Sequence, residues 1–391
     1  MWADRQVRRL ETRSVLGLVT LAALAMLGCA GVPSHNPPSN NRGTCFTPQP
    51  GVTYLDRDAI YVANTGSSSV SAFQTVDFTP GHSEGGVCGS PFHMSAPPTA
   101  LGTGDGDLIV ASAPKKTISL FNVDILTSVL TGPITTISTR YTPMAVVWWG
   151  NIYVANAEGT VSVYQLSSGT TLTEIPGSPF PAGSGPVALA ATDPGFLYVA
   201  NSQSNNISGY SMGPGGVLTP LPGSPFPAGT NPSSIEIASA GPDLLSPTFV
   251  IVTNRGSNNV SFYSVSSNGV PGQVAGSPFP TGSAPASSSF SVANNALSFI
   301  YVANSKSNDI WGYSIDSSTD VLTPLAGSPV AVGPSPSAMI SAGLIYVTCA
   351  GSNTLWVLNS DESSGALTPV SGSPFPVGQS PSAVVFVQVP T

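Results

Sequence analysis

The side chains able to do chemistry are few. Eleven Lys and Arg, nineteen Asp and Glu, three His and four Cys are spread over 391 residues. Beyond residue 28 the basic ones are Arg42, Arg57, Lys115, Lys116, Arg140, Arg255 and Lys306. Gathered at one mouth, Lys115, Lys116, Arg140, Arg255 and Lys306 would attract an anionic ligand such as a uronate, a lactone acid or a phosphate. His35, His82 and His93 share no metal-ligand spacing with the cysteines. Neither a Gly-x-Ser-x-Gly elbow nor a phosphate loop occurs. Asp105-Gly106-Asp107 is too short for a calcium loop and reads as a hairpin turn. No metal and no cofactor is expected. A net charge of −8 with so few bases argues against a nucleic-acid partner.

Whatever positions these residues is built of β-strands. Charged residues are 8% of the chain and hydrophobic ones 41%, enough to bury a core. With 41 Gly and 38 Pro, helices are disfavoured and turns abound. A phrase resembling Ile-Tyr-Val-Ala-Asn starts at Ile60, Leu108, Ile152, Leu197, Val250, Ile300 and Ile345. A polar loop and a second β-type run follow each, as in residues 161–164 (Val-Ser-Val-Tyr). A third run ends in Gly-Ser-Pro-Phe at 89–92, 177–180, 223–226, 276–279 and 372–375, with Val330 replacing Phe at 327–330. A fourth run is led by Pro98, Pro143, Pro186, Pro232, Pro285, Pro336 or Pro381.

Four short strands per unit of about 45 residues make a propeller blade, and seven units make seven blades. The fold expected is all-β: a seven-bladed β-propeller of four-stranded antiparallel blades. Naming strands a to d from the axis outward, the Pro-led run is a, Tyr-Val-Ala-Asn is b, Ser-Val-Tyr is c, and Gly-Ser-Pro-Phe lies on d. The chain enters at strand b of blade 1, so its last strand, from Pro381, must pair in blade 1 and close the ring. Pro on strand d discourages edge pairing. The Phe after it packs between blades, and the Asn ending strand b bonds the backbone of the next loop. Residues repeated round the ring are scaffold. A reaction centre, needed once, has to break the repeat.

With these motifs the chain resembles bacterial seven-bladed propellers of the lactonase-like, YVTN-repeat family. The shared features are the Tyr-Val-Ala/Thr-Asn strand, the Asn/Ser-rich b–c loop, and the Val-Gly-x-x-Pro lead at 332–336 and 377–381. The resemblance spans about residues 55–388. It implies the fold. Through its enzymatic relatives, 6-phosphogluconolactonase-like and muconate-lactonising propellers, it implies lactone chemistry with His, Glu and Arg at the ring's mouth. His82 and His93 both fall around strand d of blade 1, so no catalytic residue is carried over.

Residues 1–28 read as an export signal: Arg5, Arg8, Arg9 and Arg13 precede an apolar run from Val15 to Leu27 that is too short to span a bilayer. Met26-Leu27-Gly28-Cys29 resembles a bacterial lipobox, which makes Cys29 the lipidated residue and the outer membrane its expected address; a non-lipidated signal is the alternative. Residues 29–50 form a Pro/Ser/Asn-rich tether, and 51–391 the propeller. Cys45 and Cys88 either form a disulfide in an oxidising compartment or remain free thiols. Cys349 reads as a buried, inert thiol.

In a propeller the b–c loops and d–a connections share one face, the top. Lys115, Lys116, Arg140, Arg255 and Lys306 all map there, with Glu158 and Asp309, whereas most acids map to turns on the bottom. Trp311 and Trp356 replace the strand c Ser, either buried between blades or forming a sugar-stacking patch. Trp148-Trp149 sit at the a–b turn of blade 3. The first functional reading is an envelope-anchored lipoprotein scaffold, held to the bilayer by its lipid, that binds an anionic carbohydrate or an envelope protein without chemistry. The alternative is a lactonase hydrolysing a sugar or muconate-type lactone, with top-face Arg/Lys groups and a water.

Overall fold

The computed structural model describes residues 58–75, 87–104, 106–124, 127–239, 248–293, 296–316 and 318–388. The proposed signal, Cys29, the tether, Cys45 and His82 lie outside them. Seven antiparallel sheets follow one another in the order the repeat predicts, with a 3-10 turn at Pro214–Gly216.

Blade 5 shows the plan. Its inner strand, Pro232–Ser239, pairs with Thr248–Asn254, which pairs with Asn259–Val265. The outermost strand departs from the expected single run. It is split into Pro271–Gln273 and Phe279–Pro280, both paired with Asn259–Val265. The Gly-Ser-Pro turn makes the break. Where it interrupts the ladder, Ser277 Oγ accepts the bond that Phe262 N–H would otherwise lose, at 2.9 Å. Ser178, Ser224, Ser328 and Ser373 do the same for Val163, Gly209, Gly312 and Val357. The repeated Ser therefore satisfies a backbone donor, and the Pro sits in the gap rather than within a strand.

Ring closure is as expected. Pro381–Val387 pairs with Ala59–Asn64, setting Ile60 opposite Phe386 and Val62 opposite Val384. Gly66 N–H donates to Gln379 O at 2.9 Å across the same seam. Each Pro at the head of an inner strand is followed by a register shift, because it has no N–H to give the ladder.

The core lies between blades. Buried Tyr side chains fasten neighbours through their hydroxyls: Tyr61 donates to Ser128 O, Tyr198 to Gly269 O and Tyr263 to Pro227 O, all at 2.6 Å. Phe226 and Phe279 are buried in inter-blade clusters, the packing expected of the motif Phe. The strand b Asn bonds within its own blade: Asn64, Asn156, Asn201 and Asn254 donate to the strand c hydroxyls of Ser71, Ser162, Ser208 and Ser261 at 2.9–3.0 Å. Only Asn254 also takes a backbone N–H of the adjoining connection, that of Gly229. Trp311 and Trp356 are half-buried against inter-blade clusters. Trp148 and Trp149 are half-buried too, packed on either side of blade 3.

Candidate functional site at the junction of blades 5 and 6

The top face is a ring of loop-to-connection contacts. The b–c loop of each blade donates backbone N–H groups to the connection entering that blade: Arg255 to Asn231 O, Ser305 to Ala284 O and Lys306 to Ser283 O, at 2.9–3.1 Å. In blades 4 to 7 an Asn with positive φ then reaches the following connection; Asn258 Oδ1 accepts from Ala284 N and Asn308 Oδ1 from Ser335 N. Lys116 takes the same left-handed conformation (φ 51°) in blade 2.

The five predicted cations all stand exposed on these top-face segments, but their contacts do not converge. Lys116 pairs with Glu158 of the next blade at 3.5 Å. Glu158 also accepts from Thr142 N and Oγ1 at 2.9 and 2.8 Å. Burial pushes its carboxyl up, but the Thr142 bonds and the Lys116 charge outweigh this and hold it below the ordinary Glu range. Arg140 lies over the Tyr141 ring, 5.4 Å from its centroid. Arg255 donates to Ser305 Oγ of blade 6 at 3.0 Å, beside Lys306. Lys115 and Lys306 have no side-chain contact of this kind. Arg255 and Lys306 thus form a small cationic rim over one junction. Cys88 is disulfide-bonded, to a partner outside the described residues. Cys349 is free and fully buried, and burial pushes its thiol up to about 12.

Beneath that rim lies a residue the sequence reading missed. Counting from the leading Pro, the fourth residue along each inner strand faces the third residue of the next blade's inner strand. Val385 meets Leu101 in one cluster, Val147 meets Leu189, Ala190 meets Ile235, and Ile340 meets Val384. Gly102 lies against Val146. These contacts are apolar. Between blades 5 and 6 the same two positions hold Glu236 and Ser288.

Glu236 is mid-strand on the innermost strand of its blade, flanked by neighbouring blades, so the axial channel is the solvent its stem can meet. The residue as a whole is half-buried, as are Val147, Ala190 and Ile340 at the same position, while its Oε2 is sealed and has no hydrogen-bond partner. Ser288, 3% exposed, likewise has an unpartnered Oγ. Burial pushes the Glu236 carboxyl up to about 8; the Ser288 hydroxyl is near enough to offset this in part, but the two are not placed to complete a hydrogen bond. At neutral pH the group therefore holds its proton. Ser234, on the same strand, bonds Thr253 Oγ1 at 2.7 Å, and Ser233 Oγ donates to Pro285 O of blade 6 at 2.7 Å. The signal was available in the sequence: Glu236 stands where six aligned inner strands carry Gly, Val, Ala, Ser, Ile and Val.

Among the described residues no cluster of His, Cys, Asp or Glu could hold a metal ion. A cavity of about 90 Å3 lies far from the axis, between blades 6 and 7, lined by Tyr301, Gly312, Leu325 and Val330 among others. It marks the blade whose motif carries Val330 instead of Phe. In blade 4 the equivalent Phe226 ring packs over Gly209.

Residues 152–341 match the family described as lactonase, 7-bladed beta-propeller. No curated protein sequence matches the chain. The solved structures it resembles include a candidate 6-phosphogluconolactonase from Bacteroides uniformis, with a TM-score of 0.69 and 16% identity, covering 85% of this chain and 100% of that one. The periplasmic gluconolactonase PpgL of Pseudomonas aeruginosa gives a TM-score of 0.67 at 18% identity, with 85% and 99% covered. Virginiamycin B lyase from Staphylococcus aureus gives 0.50 at 15%, with 74% and 91% covered. At such identities the likeness is one of fold, and the fold carries more than one activity. In its repeat, its closed ring and its matched segment, the chain is a seven-bladed β-propeller similar to the lactonase family.

Proposed function

We propose that the protein is a lactonase-like propeller that opens a small lactone bearing an anionic group to the corresponding hydroxy acid. One observation carries the reading beyond the family likeness. The junction of blades 5 and 6 lies inside the matched segment and breaks the repeat twice, with Arg255 and Lys306 at the rim and the Glu236–Ser288 pair below. Hydrolysis adds water to the ester carbonyl and returns a proton to the ring oxygen. A carboxyl that holds its proton at neutral pH is suited to that donation, and the rim cations are suited to the anion. The test is alkali uptake at constant pH with D-glucono-1,5-lactone and its 6-phosphate. Ring opening above the buffer rate is expected, with kcat/KM lowered by Arg255→Ala and Lys306→Ala. Rates no faster than buffer for either compound overturn the proposal.

A second reading, a binding scaffold without chemistry, is favoured by the way Lys116, Glu158 and Arg255 are occupied by one another or by hydroxyls. We further propose export and lipid anchoring at Cys29 to the outer membrane, supported by the arginines and apolar run of residues 1–28; metabolic labelling with a palmitate analogue, lost in Cys29→Ser, tests it.

A further inference from the structure

We propose that Glu236 and Ser288 form a subsite in the axial channel for a hydroxyl or carbonyl oxygen of a polyhydroxylated acid or its lactone, the acid group lying toward Arg255 and Lys306. The inference deepens the lactonase reading and takes its ligand class from it, but it concerns binding and is tested as binding.

The argument is one of unmet hydrogen bonds. An inter-blade contact made of two apolar side chains contributes through burial alone; four of the other six junctions are built in that way, and a fifth sets Gly102 against Val146. A carboxyl and a hydroxyl in the same place add no comparable burial. Each polar group left sealed without a partner costs about 1–3 kcal/mol. Both members of the pair have such an atom: Glu236 Oε2 and Ser288 Oγ. The two substitutions also occur together, on opposite sides of one junction, as a recognition pair requires and a random surface change does not. Glu236 sits on the innermost strand of its blade and is half-buried as a residue, so the pair lies directly behind the wall of the channel. A ligand oxygen at the pair accepts from the carboxyl O–H and from Ser288 O–H, or donates to the second carboxyl oxygen.

The rim supplies the other end. Arg255 N–H is anchored to Asn231 O, beside the head of the strand that carries Glu236. Four residues of strand separate Pro232 from Glu236, about 13 Å at the usual rise. Arg255 and Glu236 both have long side chains, and a six-carbon sugar acid is of the size to bridge what remains. A short apolar acid reaches only the rim.

The experiment is calorimetric titration of the full chain at pH 7 with D-gluconate, and with propionate as an anion lacking hydroxyls. The variant is Glu236→Val with Ser288→Val, which gives this junction the side chains found at other junctions, such as Val147, Val385, Val146 and Val384. It is therefore expected to fold, with a Tm equal to or above the parent's. Glu236→Gln, which keeps size and polarity, serves as the second variant. The proposal expects gluconate to bind the parent more tightly than propionate does, and the double variant to lose at least about tenfold in gluconate affinity. No gluconate binding to the parent, equal binding by parent and double variant, or equal affinities for gluconate and propionate would each overturn it. Gluconate binding through Glu236 without lactone turnover sinks the catalytic reading and leaves this site standing. Turnover and gluconate affinity that both survive the double variant sink this site and the proton-donor role of Glu236 alike, and leave only lactone opening by the chain standing.

Discussion

Replacing Glu236 with Gln isolates the cost of a buried carboxyl, and the outcome has a definite pH signature. In the folded chain the group titrates near 8, raised by burial from an ordinary 4.5. The unfolded chain releases this proton above about 4.5, whereas the folded chain keeps it. Between those values folding stability falls as pH rises, by at most about 1.36 kcal/mol per pH unit, and the loss is complete once pH exceeds 8. A span of about 3.5 units sets a ceiling near 5 kcal/mol. Relaxation of the structure around the ionised group lowers the realised difference, to on the order of 3 kcal/mol. Glu236→Gln keeps the volume and removes the titration. Urea unfolding of both proteins at pH 4.5, 7 and 9 measures the gap. The gap should be smallest at pH 4.5 and widen in the variant's favour up to pH 9. Every other ionisable group cancels in the comparison. A gap that stays constant across this range would refute the assignment of Glu236 as a sealed, proton-holding carboxyl.

Three further outcomes follow from packing. Val330→Phe restores the motif residue beside Gly312 and adds an aromatic ring to the half-open pocket there; the extra apolar burial should stabilise by about 1 kcal/mol, read as a raised urea midpoint with unchanged m-value. Gly104→Ala places a methyl 2.4 Å from the Trp148 ring, and the crowding should lower stability by about 1–3 kcal/mol. Cys349, sealed and raised to about 12, should resist alkylation at pH 8 in the folded protein and react once it is unfolded, as followed by intact mass.

Much of the architecture could be read before any coordinates, because each structural rule was stated seven times. The Pro that cannot donate to a ladder marks every inner strand but one at its first residue, and in blade 2 Pro98 stands just ahead of Ala100. The Tyr-Val-Ala-Asn phrase marks every second strand. What the repeat concealed is equally physical. The Ser before each motif Pro replaces a missing ladder bond, a role that only the split outer strand reveals. The strand b Asn was expected to serve a loop, and it mainly pairs with the strand c Ser two strands of sequence can align but not place in contact. At the site, the loop cations were found because charge is conspicuous in so uncharged a chain. Glu236 is less conspicuous, being a single charged residue within an otherwise regular inner strand. The criterion that a reaction centre must break the repeat was sound, but it had to be applied to the inner strands, where Glu236 and Ser288 are out of place. Their facing each other across a junction depends on which side of a strand each residue turns to, and on which blade comes next.

The seam in blade 1 has a consequence for how the molecule comes into being. Ala59–Asn64 emerges from the ribosome long before its inner partner, Pro381–Val387. Until then the first blade presents an unpaired edge, of the kind that invites association with other chains. The ring cannot latch before Pro381–Val387 is made, so its closure waits on one clasp between segments far apart in sequence, whatever the intervening blades have already formed.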